Sequence, residues 1–258
     1  MNLLVKTVSI LNQKGGVGKT TTAVNLAACV GARNKKVLLV DIDPQGNSTS
    51  GFGIDKRKNT VSSYDVLTGN VKASEAVVHT EFKNVDLIIS NMNLAGAELE
   101  IIDTANRERL LKNALSEICE NYDYIFLDCP PSLGLITLNA LTASDTFLVP
   151  IQCEYYALEG LSQLMSTVRN IKRLYNPYID IEGVLLTMFD SRLNLTKQVV
   201  EEIKKFFPKK VYSTVIPRNV RLSEAPSFGQ PILYFDKYCA GGQAYIKFAD
   251  EFLAKQKG

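Results

Sequence analysis

Short runs dense in Val, Ile and Leu recur along the chain, and each leads into a segment of helical period. This rhythm constrains the fold more than any other feature. The runs 7–12, 36–41, 85–90, Tyr124–Asp128, 146–151, 181–188 and 211–216 read as strands. Several are apolar without alternation, as expected of strands covered on both faces of a parallel sheet. Residues 19–33, 106–121, 154–175, 193–207 and 241–255 read as helices. In 106–121, for example, Leu110, Leu111, Ala114, Leu115 and Ile118 form one stripe with charges opposite. Alternating elements of this kind predict an α/β fold: a doubly wound, mostly parallel sheet with helices on both faces and right-handed crossovers. The 258 residues suit one such domain, 1–258, with no Gly/Ser linker or internal repeat to divide them. The polar stretch 46–60 is expected to be a mobile loop beside the site.

Composition removes several function classes. With 46% hydrophobic residues the chain has enough apolar surface to offset its conformational entropy, so disorder is excluded. One histidine, His79, rules out a three-histidine zinc site. Five cysteines, odd in number, widely spaced and without a CxxC, read as reduced thiols rather than a disulfide frame or zinc ribbon. No apolar run approaches the roughly 18 residues of a membrane span, and the opening MNLLVKTVSILNQKGG does not read as a signal peptide. The expectation is a soluble cytoplasmic protein.

The strand 7–12 runs into Gln13-Lys14-Gly15-Gly16-Val17-Gly18-Lys19-Thr20-Thr21 and then a helix. Glycines let the backbone wrap an anion with its N–H groups turned inward, and the helix N-terminus adds partial positive charge. Lys19 is placed to reach the β and γ phosphates of a nucleotide, and the Thr20 hydroxyl to bind Mg²⁺. The common form G-x-x-x-x-G-K-S/T fails at its first glycine, which falls on Gln13, and a second lysine, Lys14, sits inside the loop. A dinucleotide loop G-x-G-x-x-G aligns less well: Gly16 and Gly18 fit, but Thr21 stands at the third glycine, even though Asp41 lies at a suitable distance for a ribose contact. Two more strands end in acids, Leu38-Leu39-Val40-Asp41-Ile42-Asp43-Pro44-Gln45 and Tyr124-Ile125-Phe126-Leu127-Asp128. In doubly wound sheets ligands sit at the carboxyl ends of strands, where all three motifs fall.

The run K-G-G-x-G-K-S/T resembles the deviant Walker A motif of the ParA/MinD family of P-loop ATPases. The segments D-x-D-P-Q at 41–45, Pro130-Pro131-Ser132-Leu133-Gly134, 150–160 and 216–226 extend the resemblance end to end, towards the chromosomal ParA (Soj-type) branch. It implies ATP and Mg²⁺ as cofactors, with Lys14, Gly15, Gly16, Val17, Gly18, Lys19, Thr20 and Thr21 around the phosphates and Pro217 and Asn219 against the base. Lys14 would reach the partner's nucleotide across a homodimer, and Gly15 and Gly16 would stay small so that partner and nucleotide can approach. Asp43 would activate the attacking water, and Thr20, Asp43 and Asp128 would serve the metal. The resemblance also implies slow ATP hydrolysis stimulated by a ParB-like activator, in chromosome or plasmid partition.

Net charge is only +2, yet it is segregated. From Arg192 to Lys257 there are 12 basic and six acidic residues, which leaves 17 basic and 21 acidic elsewhere. Such asymmetry attracts a polyanion through phosphate contacts. With the resemblance it points to non-specific double-stranded DNA held by Arg192, Arg218 and Arg221, and to a nucleoid-associated protein. A MinD-like membrane-positioning ATPase is the alternative. Phe248 and Phe252, one turn apart in the last helix, read better as core than as a membrane face, so no membrane contact is expected. A metabolic ATP-dependent ligase or metallochaperone is a third reading.

Overall fold

In the central strands, successive residues face opposite sides and both sides are apolar. In β2 (Val37–Asp41), Val37 and Leu39 enter one core while Leu38 and Val40 enter the other. In β5 (Tyr124–Asp128), Tyr124 and Phe126 face the first core and Ile125 and Leu127 the second. That two-sided burial is why the runs lack alternation. The computed structural model describes residues 5–58, 61–154 and 157–256. Of the expected features, Tyr155 and Tyr156 of the 154–175 helix, residues 59–60 of the 46–60 loop and Lys257 of the basic count lie outside them.

The other strands are β1 (Lys6–Ile10), β3 (Val77–His79), β4 (Val85–Ile88), β6 (Thr146–Gln152), β7 (Asp180–Phe189) and β8 (Val211–Pro217). Together they form one sheet of order β3-β4-β2-β5-β1-β6-β7-β8. Every pairing is parallel except β3 with β4, at the edge. The expected doubly wound α/β class is what the chain adopts. Helices Lys19–Gly31 and Ala240–Lys255 cover one face, where Phe248 and Phe252 are fully buried. Phe252 packs on Tyr124 and Phe126 at ring separations of 5.5 and 5.8 Å. The opposite face carries Leu94–Ile101, Leu110–Ser116, Leu135–Ala143, Ala157–Leu174 and Asn194–Phe206.

Three differences from the expectation have physical causes. The 106–121 segment is not one helix: Arg107–Arg109 and Cys119–Asn121 are tight 3₁₀ turns flanking Leu110–Ser116. Its left-handed Asn106, at φ 54°, prevents an α-helical start there. Leu135–Ala143 has no polar face to give a period, because it is buried between the sheet and other helices. The 46–60 stretch is not simply a loop. Gly46, left-handed at φ 60°, opens a short helix, Asn47–Gly51, in which Ser48 and Thr49 are fully buried.

Candidate active site

The glycine-rich loop leaves the carboxyl end of β1 in the middle of the sheet. Asn12 anchors its start, donating from Nδ2 to the Pro150 carbonyl at 2.8 Å and accepting the Lys14 N–H at 3.0 Å. Gly16 and Gly18 hold φ of 74° and 85°, a region that side chains other than glycine rarely adopt. Apart from the glycine's own chain neighbours, no atom of the described residues lies within 4 Å of where a Cβ on Gly15 or Gly16 would stand, so the space those glycines leave faces outward. Thr187, near the end of β7, donates to the Val17 carbonyl at 2.8 Å and pins the loop from the other side. Helix Lys19–Gly31 starts with no side-chain cap and no acid in its first turn. Its first N–H groups therefore lack side-chain acceptors, which makes a ready anion site.

The two loop lysines are set apart. Lys19 is 7% exposed and its ammonium donates to the Lys14 carbonyl at 3.1 Å, inside the loop. Burial lowers its pKa, while the carboxylates of Asp128 and Asp43 hold it up. Lys14 turns away instead and pairs with Glu154 just beyond β6, with its side chain still 41% exposed. Within one protomer its ammonium therefore bonds outside its own phosphate cradle.

Asp41 and Asp128 are register partners at the ends of β2 and β5, and both are fully buried. Asp41 accepts the Thr49 N–H and hydroxyl, each at 2.8 Å, on Oδ2 and the Asp43 N–H at 3.2 Å on Oδ1. Burial is the main cause that pushes its pKa up, to about 6, against those hydrogen bonds. Asp128 is pushed further, to about 8, by burial and then by the charge of Asp41, with the Ser48 and Thr20 hydroxyls pulling the other way. Ser48 donates to Asp128 Oδ2 at 2.7 Å, whereas Oδ1 is buried with no hydrogen-bond partner among the described residues. Asp43 is 8% exposed, and its Oδ1 accepts the Gln45 N–H at 3.0 Å.

A divalent cation fits this donor set. The orphaned Asp128 oxygen is an acceptor without a proton donor, which a cation or its water would satisfy. Among the described residues no three His, Cys, Asp or Glu side chains form a metal cage. Mg²⁺ does not need one, since it binds through one or two carboxylates, waters and substrate phosphates. Thr20, Asp43 and Asp128 are the side chains that would hold it. Cys129, next to Asp128, is fully buried and its thiol pKa is pushed up, so it stays a neutral thiol.

At the end of β8, Asn219 keeps its side-chain oxygen buried and without a partner among the described residues, beside the half-buried Pro217. The expected DNA arginines are exposed, but two are already engaged. Arg192 forms a double hydrogen bond with Asp190, at 2.9 and 2.6 Å. Arg218 also acts on Asp190, lowering its pKa after the larger effect of Arg192. Arg221 bonds to Glu224 and Asp236 at 2.8 and 3.2 Å and lies over the Phe235 ring. Sequence reasoning did not single out Ser48, Thr49, Thr187 or the pairing role of Glu154. The first two had one signal, their position three and four residues after the end of D-x-D-P-Q, and Thr187 had none.

The central phosphate loop and the acidic strand ends around it define a nucleotide-binding P-loop protein of the α/β type. A family model described as an AAA domain matches residues 5–181. Sporulation initiation inhibitor protein Soj of Bacillus subtilis (strain 168) is 56% identical over 249 residues, which are 96% of this chain and 98% of that protein. Chromosome partitioning protein ParA of Caulobacter vibrioides (strain NA1000 / CB15N) is 48% identical, over 98% of this chain and 96% of its own. Among solved structures, cobyrinic acid a,c-diamide synthase from Mycobacterium smegmatis with bound ADP and magnesium is 36% identical with a TM-score of 0.86, covering 98% of this chain and 96% of that one. The chain belongs to the Soj/ParA family of chromosome-partitioning ATPases.

Proposed function

We propose that this protein is an ATP-driven dimerising switch for chromosome or plasmid partition. The observation that carries the reading is the separation of the two loop lysines. Lys19 points into the cradle, while Lys14 is held outside it and partly exposed. ATP binds along Lys14–Thr21, with the Gly15–Gly18 amides and the N-terminus of the following helix around the phosphates. Pro217 and Asn219 bound the base. Thr20, Asp43 and Asp128 are the side chains that would hold Mg²⁺, which when bound would supply charge neutralisation at the phosphates. Lys14 crosses to the partner's nucleotide and makes the closed dimer specific for ATP, because only a ligand with differential affinity shifts such an equilibrium. Asp43, with its backbone fixed by Asp41 and one oxygen held by Gln45, orients and activates the attacking water.

The closed dimer binds double-stranded DNA through Arg192, Arg218 and Arg221, without sequence preference and with strong salt dependence. Hydrolysis is slow alone, since no arginine finger stands among the site residues, and a ParB-like activator speeds it. On this reading the protein works in the cytoplasm, on the nucleoid. The M. smegmatis neighbour motivates a second reading, a ligase-type enzyme, which predicts turnover stimulated by a small-molecule substrate and indifferent to DNA. The membrane alternative has less support. Phe248 and Phe252 belong to the core, and no helix among the described residues is long and apolar enough to cross a membrane. Paired co-sedimentation with ATP tests the choice: plasmid DNA should carry the protein down and anionic liposomes should not. Liposome binding without DNA binding overturns the partition reading.

A further inference from the structure

The short helix Asn47–Gly51 begins four residues after Asp43, and its consecutive hydroxyls Ser48 and Thr49 are both fully buried. Burying a hydroxyl is unfavourable unless it is hydrogen-bonded, and each of these bonds to a different carboxylate. Ser48 Oγ donates to Asp128 Oδ2 at the end of β5, at 2.7 Å. Thr49 donates to Asp41 Oδ2 at the end of β2, through N–H and Oγ1, both at 2.8 Å. Thr49 Oγ1 in turn accepts the Ser90 N–H just past β4, at 2.9 Å. β4, β2 and β5 are neighbours in the sheet, so two adjacent residues close over three strand ends. The approach depends on Gly46: a Cβ there would stand 2.7 Å from the Ser90 carbonyl oxygen, and its φ of 60° disfavours any side chain.

The two bonds have different consequences. Because Ser48 occupies Oδ2 of Asp128, the oxygen left over is the buried, unpartnered Oδ1. Because Thr49 fixes Oδ2 of Asp41, the other oxygen is held where it accepts the Asp43 N–H at 3.2 Å. We propose that Ser48 and Thr49 are positioning residues for ATP hydrolysis: Ser48 presents one oxygen of Asp128 to the metal, and Thr49, through Asp41, sets the backbone that carries Asp43. The proposal rests on the ATPase reading above. It goes further in making the metal site and the water-activating residue answer to one five-residue helix.

The test uses the full chain with Thr49→Val, Thr49→Ser and Ser48→Ala. Each is assayed for thermal melting, for binding of a fluorescent ATP analogue with EDTA or graded Mg²⁺, and for steady-state hydrolysis. Thr49→Val removes the hydroxyl at nearly constant volume and should lower kcat about tenfold or more with KM for ATP little changed, the pattern of a defect confined to the transition state. Thr49→Ser keeps the hydroxyl and should restore most of kcat. Ser48→Ala should leave analogue affinity in EDTA unchanged and raise the Mg²⁺ concentration for half-maximal hydrolysis by about three- to tenfold, the scale of one hydrogen bond. The proposal is overturned if Thr49→Val turns over like wild type, if Thr49→Ser fails as Thr49→Val does at an unchanged melting temperature, or if Ser48→Ala leaves the Mg²⁺ requirement where it was. Failure of the wild type to bind the analogue at all would instead sink the ATPase reading on which the proposal stands.

Discussion

If Lys14 acts in trans, its pairing with Glu154 must open before two protomers can close. Both side chains are nearly half exposed, 41% and 46%, so water and salt screen the pair. Exposed pairs of this kind contribute about 0.2–1 kcal/mol. Closure opens one pair in each protomer, so Glu154→Gln should favour the dimer by about 0.4–2 kcal/mol, or roughly two- to thirtyfold in the dissociation constant. Sedimentation equilibrium with a non-hydrolysable ATP analogue reads that constant directly. The gain should shrink as ionic strength rises and screening weakens the wild-type pair, and neither protein should dimerise with ADP. Weaker dimerisation of Glu154→Gln would refute the reasoning, because it would make Glu154 part of the closed state. A gain above about a hundredfold would refute it too, since two exposed pairs cannot supply that much.

Three further outcomes are expected. Asp41 and Asp128 have folded pKa values pushed up to about 6 and about 8 by burial, above the roughly 3.9 of an unfolded aspartate. The folded state then binds more protons than the unfolded one across that window, so the metal-free protein should lose thermal stability as pH rises from about 5 to about 8. Asp128→Asn should flatten this profile, and a wild-type melting temperature that climbs over the same range would contradict it. Phe252→Ala, at a fully buried site against Tyr124 and Phe126, should cost about 3–5 kcal/mol in denaturant unfolding; a loss below about 1 kcal/mol would mean that the last helix is not core. Arg218→Ala should weaken DNA binding alike on unrelated sequences and reduce the slope of log affinity against log salt by about 1; an unchanged slope would remove Arg218 from the interface.

The phosphate loop was legible because its chemistry is carried by the backbone. Glycine is the residue that most readily accepts the φ of Gly16 and Gly18, and the strand–loop–helix order around them was visible in periodicity alone. Asp43 and Asp128 were legible for a related reason, since an acid ending an apolar strand is brought to the site by the sheet. The helix Asn47–Gly51 was not legible. Ser48 and Thr49 fell within a polar stretch read as a loop, and only the buried carboxylates that accept their hydrogen bonds make them interior residues. Leu135–Ala143 was hidden for another reason: its polar Thr137, Asn139 and Thr142 are buried along with its apolar residues, so no polar face marks a period. The basic character after Arg192 was a true signal but an incomplete one. Asp190 lies two residues before the counted stretch and binds Arg192, while Glu224 and Asp236 hold Arg221. A linear charge count does not register such pairings, so it overstates the cation open to phosphate.

In the proposed switch, ATP acting through Lys14 across two subunits turns DNA binding on. One titration tests it most directly: DNA retention against salt for wild type and Lys14→Ala, each with ATP, ADP and no nucleotide. Wild type should bind only with ATP and lose affinity steeply with salt. Lys14→Ala should stay at the ADP level under every condition. If Lys14→Ala binds DNA in an ATP-dependent way, or the wild type binds equally well with ADP, the switch is contradicted.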